Sequence, residues 1–126
     1  MSLPASVRLV SERAAAEVFR IGELRFPNEA CGVILGDVVY ELPNRSERPR
    51  NEYLMVAEDW PSEILEWVGF QDLTGNTDNA LSRLKVWHTH QRLVGPSEMD
   101  IELRRGTDSR IRFLVFTLFV NEVREF

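Results

Sequence analysis

The sequence predicts an α/β (α+β) fold, a mixed β-sheet flanked by helices, from three observations. Near the N-terminus, Ala14, Val18, Ile21 and Leu24 recur at three- and four-residue steps, which is one apolar helical stripe. Around Gly36-Asp37, two short apolar runs face each other across a two-residue turn signal. Further on, Leu84, Val86, His88 and His90 alternate with Lys85, Trp87 and Thr89, the two-residue period of a strand. Helical and strand periods therefore interleave along the chain, and helices packed on a sheet are the economical way to bury both.

Each element follows in order. Residues 7–10 read as a short first strand. Ser11 then suits an N-cap, with Glu12 in the first turn where the helix dipole favours a carboxylate. Pro27 and Asn28 end that helix. Residues 30–35 are apolar and bounded by turn residues, hence a strand, and residues 38–42 return as its partner. Residues 43–51 are polar, with Arg45, Arg48 and Arg50 on a solvated loop face. Residues 53–56 read as a third strand. Asp59-Trp60-Pro61-Ser62 opens a second helix with Ile64, Leu65 and Val68 on one side. Residues 69–79, containing Thr74-Gly75-Asn76-Thr77-Asp78-Asn79, read as a flexible loop. After the strand that carries the histidines, Ser97 to Arg105 forms a third, short helix closed by Gly106. Residues 111–120 are almost continuously apolar, which asks for cover on both faces, with part of the run available to a homodimer or larger assembly. Asn121-Glu122 turns the chain into a last stub, residues 123–126. No repeat or low-complexity tract divides the 126 residues, so one domain over 1–126 is expected.

Composition narrows the function. Apolar residues make up 44% and charged residues 28%, an ordinary globular balance. The net charge is −5 with no Lys/Arg cluster, which argues against nucleic acid as partner. No apolar run approaches the roughly 18 residues of a membrane span, and no signal-peptide pattern opens the chain. The single cysteine, Cys31, excludes an internal disulfide and a Cys-rich zinc knuckle. It reads as a small buried hydrophobe rather than a nucleophile. Trp60, Trp67 and Trp87 read as core.

The informative segment is Trp87-His88-Thr89-His90-Gln91-Arg92-Leu93-Val94-Gly95-Pro96-Ser97-Glu98-Met99-Asp100, which holds both histidines of the chain. On a strand, residues i and i+2 share a face, so His88 and His90 can converge on one ion. If the chain enters a helix at Ser97, Asp100 lies in its first turn and can supply a third ligand. Two nitrogens and one oxygen leave a tetrahedral position for water, as a catalytic zinc requires. Glu29 is the candidate general base, since its strand face is apolar and desolvation raises a carboxyl pKa. Ser97 can hydrogen-bond the oxyanion formed at a carbonyl. A plainer reading stays open for each residue. Ser97 and Asp100 also spell a capping box, His-x-His occurs on strands without any ion, and Glu29 alone could face water.

The order Glu29, His88-Thr89-His90, Ser97-Glu98-Met99-Asp100 resembles the JAMM motif of the JAB/MPN metalloprotease family. Pro27-Asn28-Glu29-Ala30-Cys31-Gly32-Val33-Ile34-Leu35-Gly36 is similar to that family's segment around its catalytic Glu. Asn44, Pro49 and residues 53–59 are similar to a stretch of its short prokaryotic and phage members. The resemblance implies a mixed sheet related to the cytidine deaminase architecture, although the deaminases themselves need a second cysteine. It implies Zn2+ held by His88, His90 and Asp100, with Glu29 activating water and Ser97 steadying the tetrahedral intermediate. It also implies hydrolysis of a peptide or isopeptide bond in a protein or peptide substrate, ubiquitin-like conjugates or phage tail assembly among the settings. The location expected from this is the cytoplasm of a bacterium or a phage-infected host. An inactive scaffold or interaction module of the same fold is the alternative. Three features depart from the family's pattern: Gln91 replaces a Pro after the second His, the loop to Ser97 is shorter, and residues 69–83 form an extra polar stretch.

Overall fold

The computed structural model describes residues 9–126. Ser11 caps the first helix, α1 (Glu12–Arg25), its Oγ accepting the Ala14 N–H at 3.1 Å. The buried face of α1 carries Ala14, Ala15, Val18, Ile21 and Gly22. That face is centred near Val18, so Leu24 falls well off it and is 63% exposed, against the stripe read from spacing. Of the strand expected at residues 7–10, residues 7 and 8 lie outside the described residues. Leu9 and Val10 are not in a strand, and Val10 is buried against the α1 core instead.

Strands β1 (Cys31–Leu35) and β2 (Val38–Leu42) pair antiparallel with Leu35 opposite Val38, leaving Gly36 and Asp37 as the turn. Gly36 has φ +62°, a left-handed conformation that glycine adopts without strain. Residues 53–56 do not form the expected strand. Their backbone is claimed by their own loop: the Leu54 N–H donates to Asn44 Oδ1, and the Leu54 carbonyl accepts the Arg45 N–H. Tyr53 nevertheless turns inward and is buried.

Helix α2 (Ser62–Leu73) starts after Pro61 and buries Ile64, while Leu65 is 52% exposed. The flexible loop expected over residues 69–79 is mostly helical. Gly69 sits inside α2, and α3 (Thr77–Arg83) follows after a turn at Thr74-Gly75-Asn76. An exposed helical glycine costs only about 1 kcal/mol, and the fully buried Ala80 anchors α3. The remaining elements are β3 (Leu84–His90), α4 (Glu98–Arg105), β4 (Arg112–Thr117) and β5 (Glu122–Glu125). The apolar run after β4 leaves the sheet as a 3-10 turn, Leu118–Val120, so Phe119 (73% exposed) and Val120 are not covered on both faces.

The five strands form one sheet in the order β2-β1-β3-β4-β5. Only the β3–β4 pair is parallel, joined through α4; the other pairs are antiparallel. Alternation along the strands sends Ile34, Trp87, Leu114 and Phe116 towards α1, and Val33, Val86 and Phe113 towards Ile64 of α2. His88 and His90 share the parity of Val86, so they belong to the α2 side.

Gly32 marks the tightest point of β1. A Cβ there would lie 2.0 Å from the Tyr40 carbonyl oxygen and 2.8 Å from the Trp87 ring. Gly32→Ala therefore destabilises the protein by about 1–3 kcal/mol, read as a lower urea midpoint at unchanged slope. An unchanged midpoint would show that the β1–β2 spacing yields freely.

Candidate metal centre

The site forms where β3 ends. Burial of Val86 fixes the strand's face, and the pleat then carries His88 and His90 to the same side, 1% and 5% exposed. In the β1–β3 ladder Cys31 lies opposite His88. Continuing that antiparallel register by two residues sets Glu29 across from His90, and its Oε2 lies 3.9 Å from His90 Nε2. The chain then loops back through Gly95, whose φ of +82° makes the turn. It enters α4 at Ser97. There Ser97 Oγ accepts the Asp100 N–H at 3.2 Å, and Asp100 Oδ2 accepts the Ser97 N–H at 2.8 Å, a complete capping box. The same Oδ2 lies 3.0 Å from His88 Nε2 and 3.2 Å from His90 Nε2. The two ring nitrogens are 3.1 Å apart.

These contacts suit a cation. Glu29, His88 and His90 each offer one atom, all within 4.8 Å of one another, and could hold a metal ion. His90 Nδ1 faces the Leu93 carbonyl at 3.2 Å, so Nδ1 carries the hydrogen and Nε2 presents a lone pair. That lone pair looks at a carboxylate oxygen and a second imidazole nitrogen. Two ligands on a tetrahedral cation with bonds of about 2.0–2.1 Å stand about 3.3 Å apart. The triangle of 3.0, 3.1 and 3.2 Å is close to one face of such a tetrahedron. Glu29 Oε1 and His88 Nδ1 are buried with no hydrogen-bond partner among the described residues, which is costly unless a further group is recruited.

Electrostatics separate the two carboxylates. Burial pushes Glu29 up from the ordinary 4.5 to about 8, although the His90 ring opposes this. Burial acts in the same sense on Asp100, but its close contacts with both imidazoles and the hydrogen bond from the Ser97 N–H outweigh it, and its pKa falls. Burial lowers the pKa of His88. It opposes protonation of His90 too, yet the Asp100 and Glu29 carboxylates win there and raise it. One carboxyl is thus poised to carry a proton near neutral pH while the other stays anionic, the division that acid–base chemistry needs.

Several neighbours complete the site. The Tyr53 ring stacks on His88 at 4.3 Å between centroids, and Phe126 meets the same imidazole edge-on at 5.8 Å. The Leu93 carbonyl accepts from both His90 and Thr117 Oγ1. Thr89, between the histidines, points the other way and takes the Ala30 N–H on its Oγ1 at 2.9 Å. Only Tyr53 left a trace in the sequence, as an aromatic beside a motif. Ser97 is half-buried at the rim, while Cys31 is fully buried with its thiol pushed up to about 12, inert as a nucleophile. A cavity of about 470 Å³ opens beside Glu29, bordered by Asn28, Ala30, Leu42, Pro43 and Asn44.

A family model described as prokaryotic homologs of the JAB domain matches residues 11–124. No curated protein matches the chain.

Proposed function

Since the chain belongs to the family of prokaryotic homologs of the JAB domain, we propose that it is a zinc-dependent metallopeptidase or isopeptidase of the JAMM type. The observation that carries this reading is the triangle of His88 Nε2, His90 Nε2 and Asp100 Oδ2, with the Glu29 carboxyl beside it, its Oε1 unpartnered among the described residues. His88, His90 and Asp100 would hold the zinc, which supplies Lewis acidity and brings the pKa of bound water to about 7. Glu29 is better placed as base than as ligand. Its 3.9 Å from His90 exceeds the ligand spacing, and its raised pKa suits proton uptake.

Glu29 takes the proton of the attacking water as oxygen adds to the scissile carbonyl. Ser97 Oγ spends a lone pair on the Asp100 N–H and keeps its own hydrogen for the oxyanion. The protonated Glu29 then gives its hydrogen to the leaving amine. The substrate in this reading is a polypeptide, in phage tail assembly or ubiquitin-like protein processing. No helix among the described residues is long and apolar enough to cross a membrane.

One observation favours a second reading, an inactive scaffold: the capping box accounts for Ser97 and Asp100 without any ion. Protein purified without added metal decides between them. About one zinc per chain, and peptide or isopeptide hydrolysis that a chelator stops and zinc restores, are expected. Folded protein that neither retains nor takes up zinc would leave the scaffold.

A further inference from the structure

Among the described residues no hydrogen bond holds the Glu29 carboxylate, since Oε1 is unpartnered and Oε2 is 3.9 Å from the His90 imidazole nitrogen. Nor is Glu29 inside β1; it lies in the irregular link between α1 and that strand. Its position must therefore come from what grips its backbone. The grip is extensive. The Glu29 N–H donates to the Pro49 carbonyl at 2.6 Å. Its own carbonyl accepts from Asn44 Nδ2 at 3.0 Å. Two residues upstream, the Pro27 carbonyl accepts from Gln91 Nε2 at 2.6 Å.

We propose that Asn44 and Gln91 are positioning residues that brace the backbone at Glu29 and two residues before it, and so set the Glu29 carboxylate beside the metal centre. The proposal rests on the hydrolase reading for its consequence in catalysis. Asn44 uses its whole amide. Nδ2 donates to the Glu29 and Glu52 carbonyls, and Oδ1 accepts the Ser46 and Leu54 N–H groups. One side chain thus folds the 44–54 loop and ties it to the base, and an amide alone combines two donors with two acceptors at that point. Gln91 follows His90 directly. Its side chain straps the end of β3 to the turn before Glu29, and its carbonyl accepts the Phe119 N–H at 2.9 Å. A proline at that position has no side-chain donor. Where the resemblance has Pro, this chain therefore carries a strap of its own between metal ligand and base.

The isosteric variants Asn44→Asp and Gln91→Glu test this. Each keeps shape and turns a donor into an anionic oxygen facing a carbonyl. Displacing a reacting group by about 1 Å costs about 10²-fold in rate, so kcat should fall between 10- and 100-fold. KM and zinc content should stay as in wild type. Neither variant should lower the rate further in a Glu29→Gln background. Independently of turnover, hydrogen exchange at the Glu29 amide should quicken about tenfold, with α1 amides unmoved. Unchanged kcat in both variants would overturn the proposal, as would loss of zinc or a rise in KM matching the fall in kcat. If wild type hydrolyses no peptide or isopeptide, the hydrolase reading fails and exchange alone judges the brace. Quickened exchange in both variants then supports it, and unaltered exchange in both removes it. Should one variant fail to fold, the other decides.

Discussion

Replacing Glu29 by Gln lowers kcat by about 10²–10⁴-fold, the usual contribution of a positioned general base, while zinc content remains near one per chain. Gln keeps the volume but cannot take a proton from water or return it to the leaving amine. Elemental analysis of the variant is the critical control. Glu29 lies within 4.8 Å of both histidine nitrogens, so loss of zinc would reassign it as a ligand. The same substitution has a signature in metal-free protein. Folded Glu29 has its pKa raised from 4.5 to about 8, so between those values the folded state holds a proton that the unfolded chain releases. Stability from this group is complete below about pH 4.5 and is lost as pH rises through 8. In chelator, the unfolding free energy of wild type should therefore fall relative to that of Glu29→Gln between pH 5 and 8, the difference reaching on the order of a few kcal/mol and read as a falling melting temperature. Parallel curves over that range would mean the carboxyl is not desolvated as its burial suggests.

Asp100→Ala should abolish zinc retention and with it all turnover. Oδ2 of Asp100 is common to the ligand triangle and the capping box, so the substitution removes both at once. Ser97→Ala separates the two roles. It also breaks the cap, at about 1 kcal/mol, but leaves the carboxylate in place. Zinc should stay bound in Ser97→Ala and be lost in Asp100→Ala, beyond the 10–100-fold typical of removing an outer partner of a metal site. Equal zinc binding by both variants would show that Asp100 serves only the helix, and the scaffold reading would gain accordingly.

The readings that failed share a cause. Residues 53–56 have strand-like composition, but Asn44 and Arg45 claim the backbone of Leu54 before any strand can. Residues 69–79 have loop composition, yet α2 and α3 span most of them, because glycine and polar residues are cheap on an exposed helix face. Leu24, Leu65 and Phe119 are apolar and exposed, since local spacing names a face without saying whether the sheet reaches that far. In each case composition and spacing within the segment did not say what the surrounding structure would bond or cover.

What the sequence determined by itself was local. Ser11 and Ser97 cap helices, Gly36-Asp37 turns a hairpin, and the two-residue period of β3 sends His88 and His90 the same way. Each depends on residues within a few positions of one another, where backbone geometry leaves little choice. Tertiary structure alone decided the convergence. The β1–β3 register carries Glu29 across to His90, the returning loop delivers Asp100 to both imidazoles, and Tyr53, Leu93, Asn44 and Gln91 acquire their places around them. Those contacts span up to 64 residues, and they exist because burying both sheet faces permits only one register for the central strands.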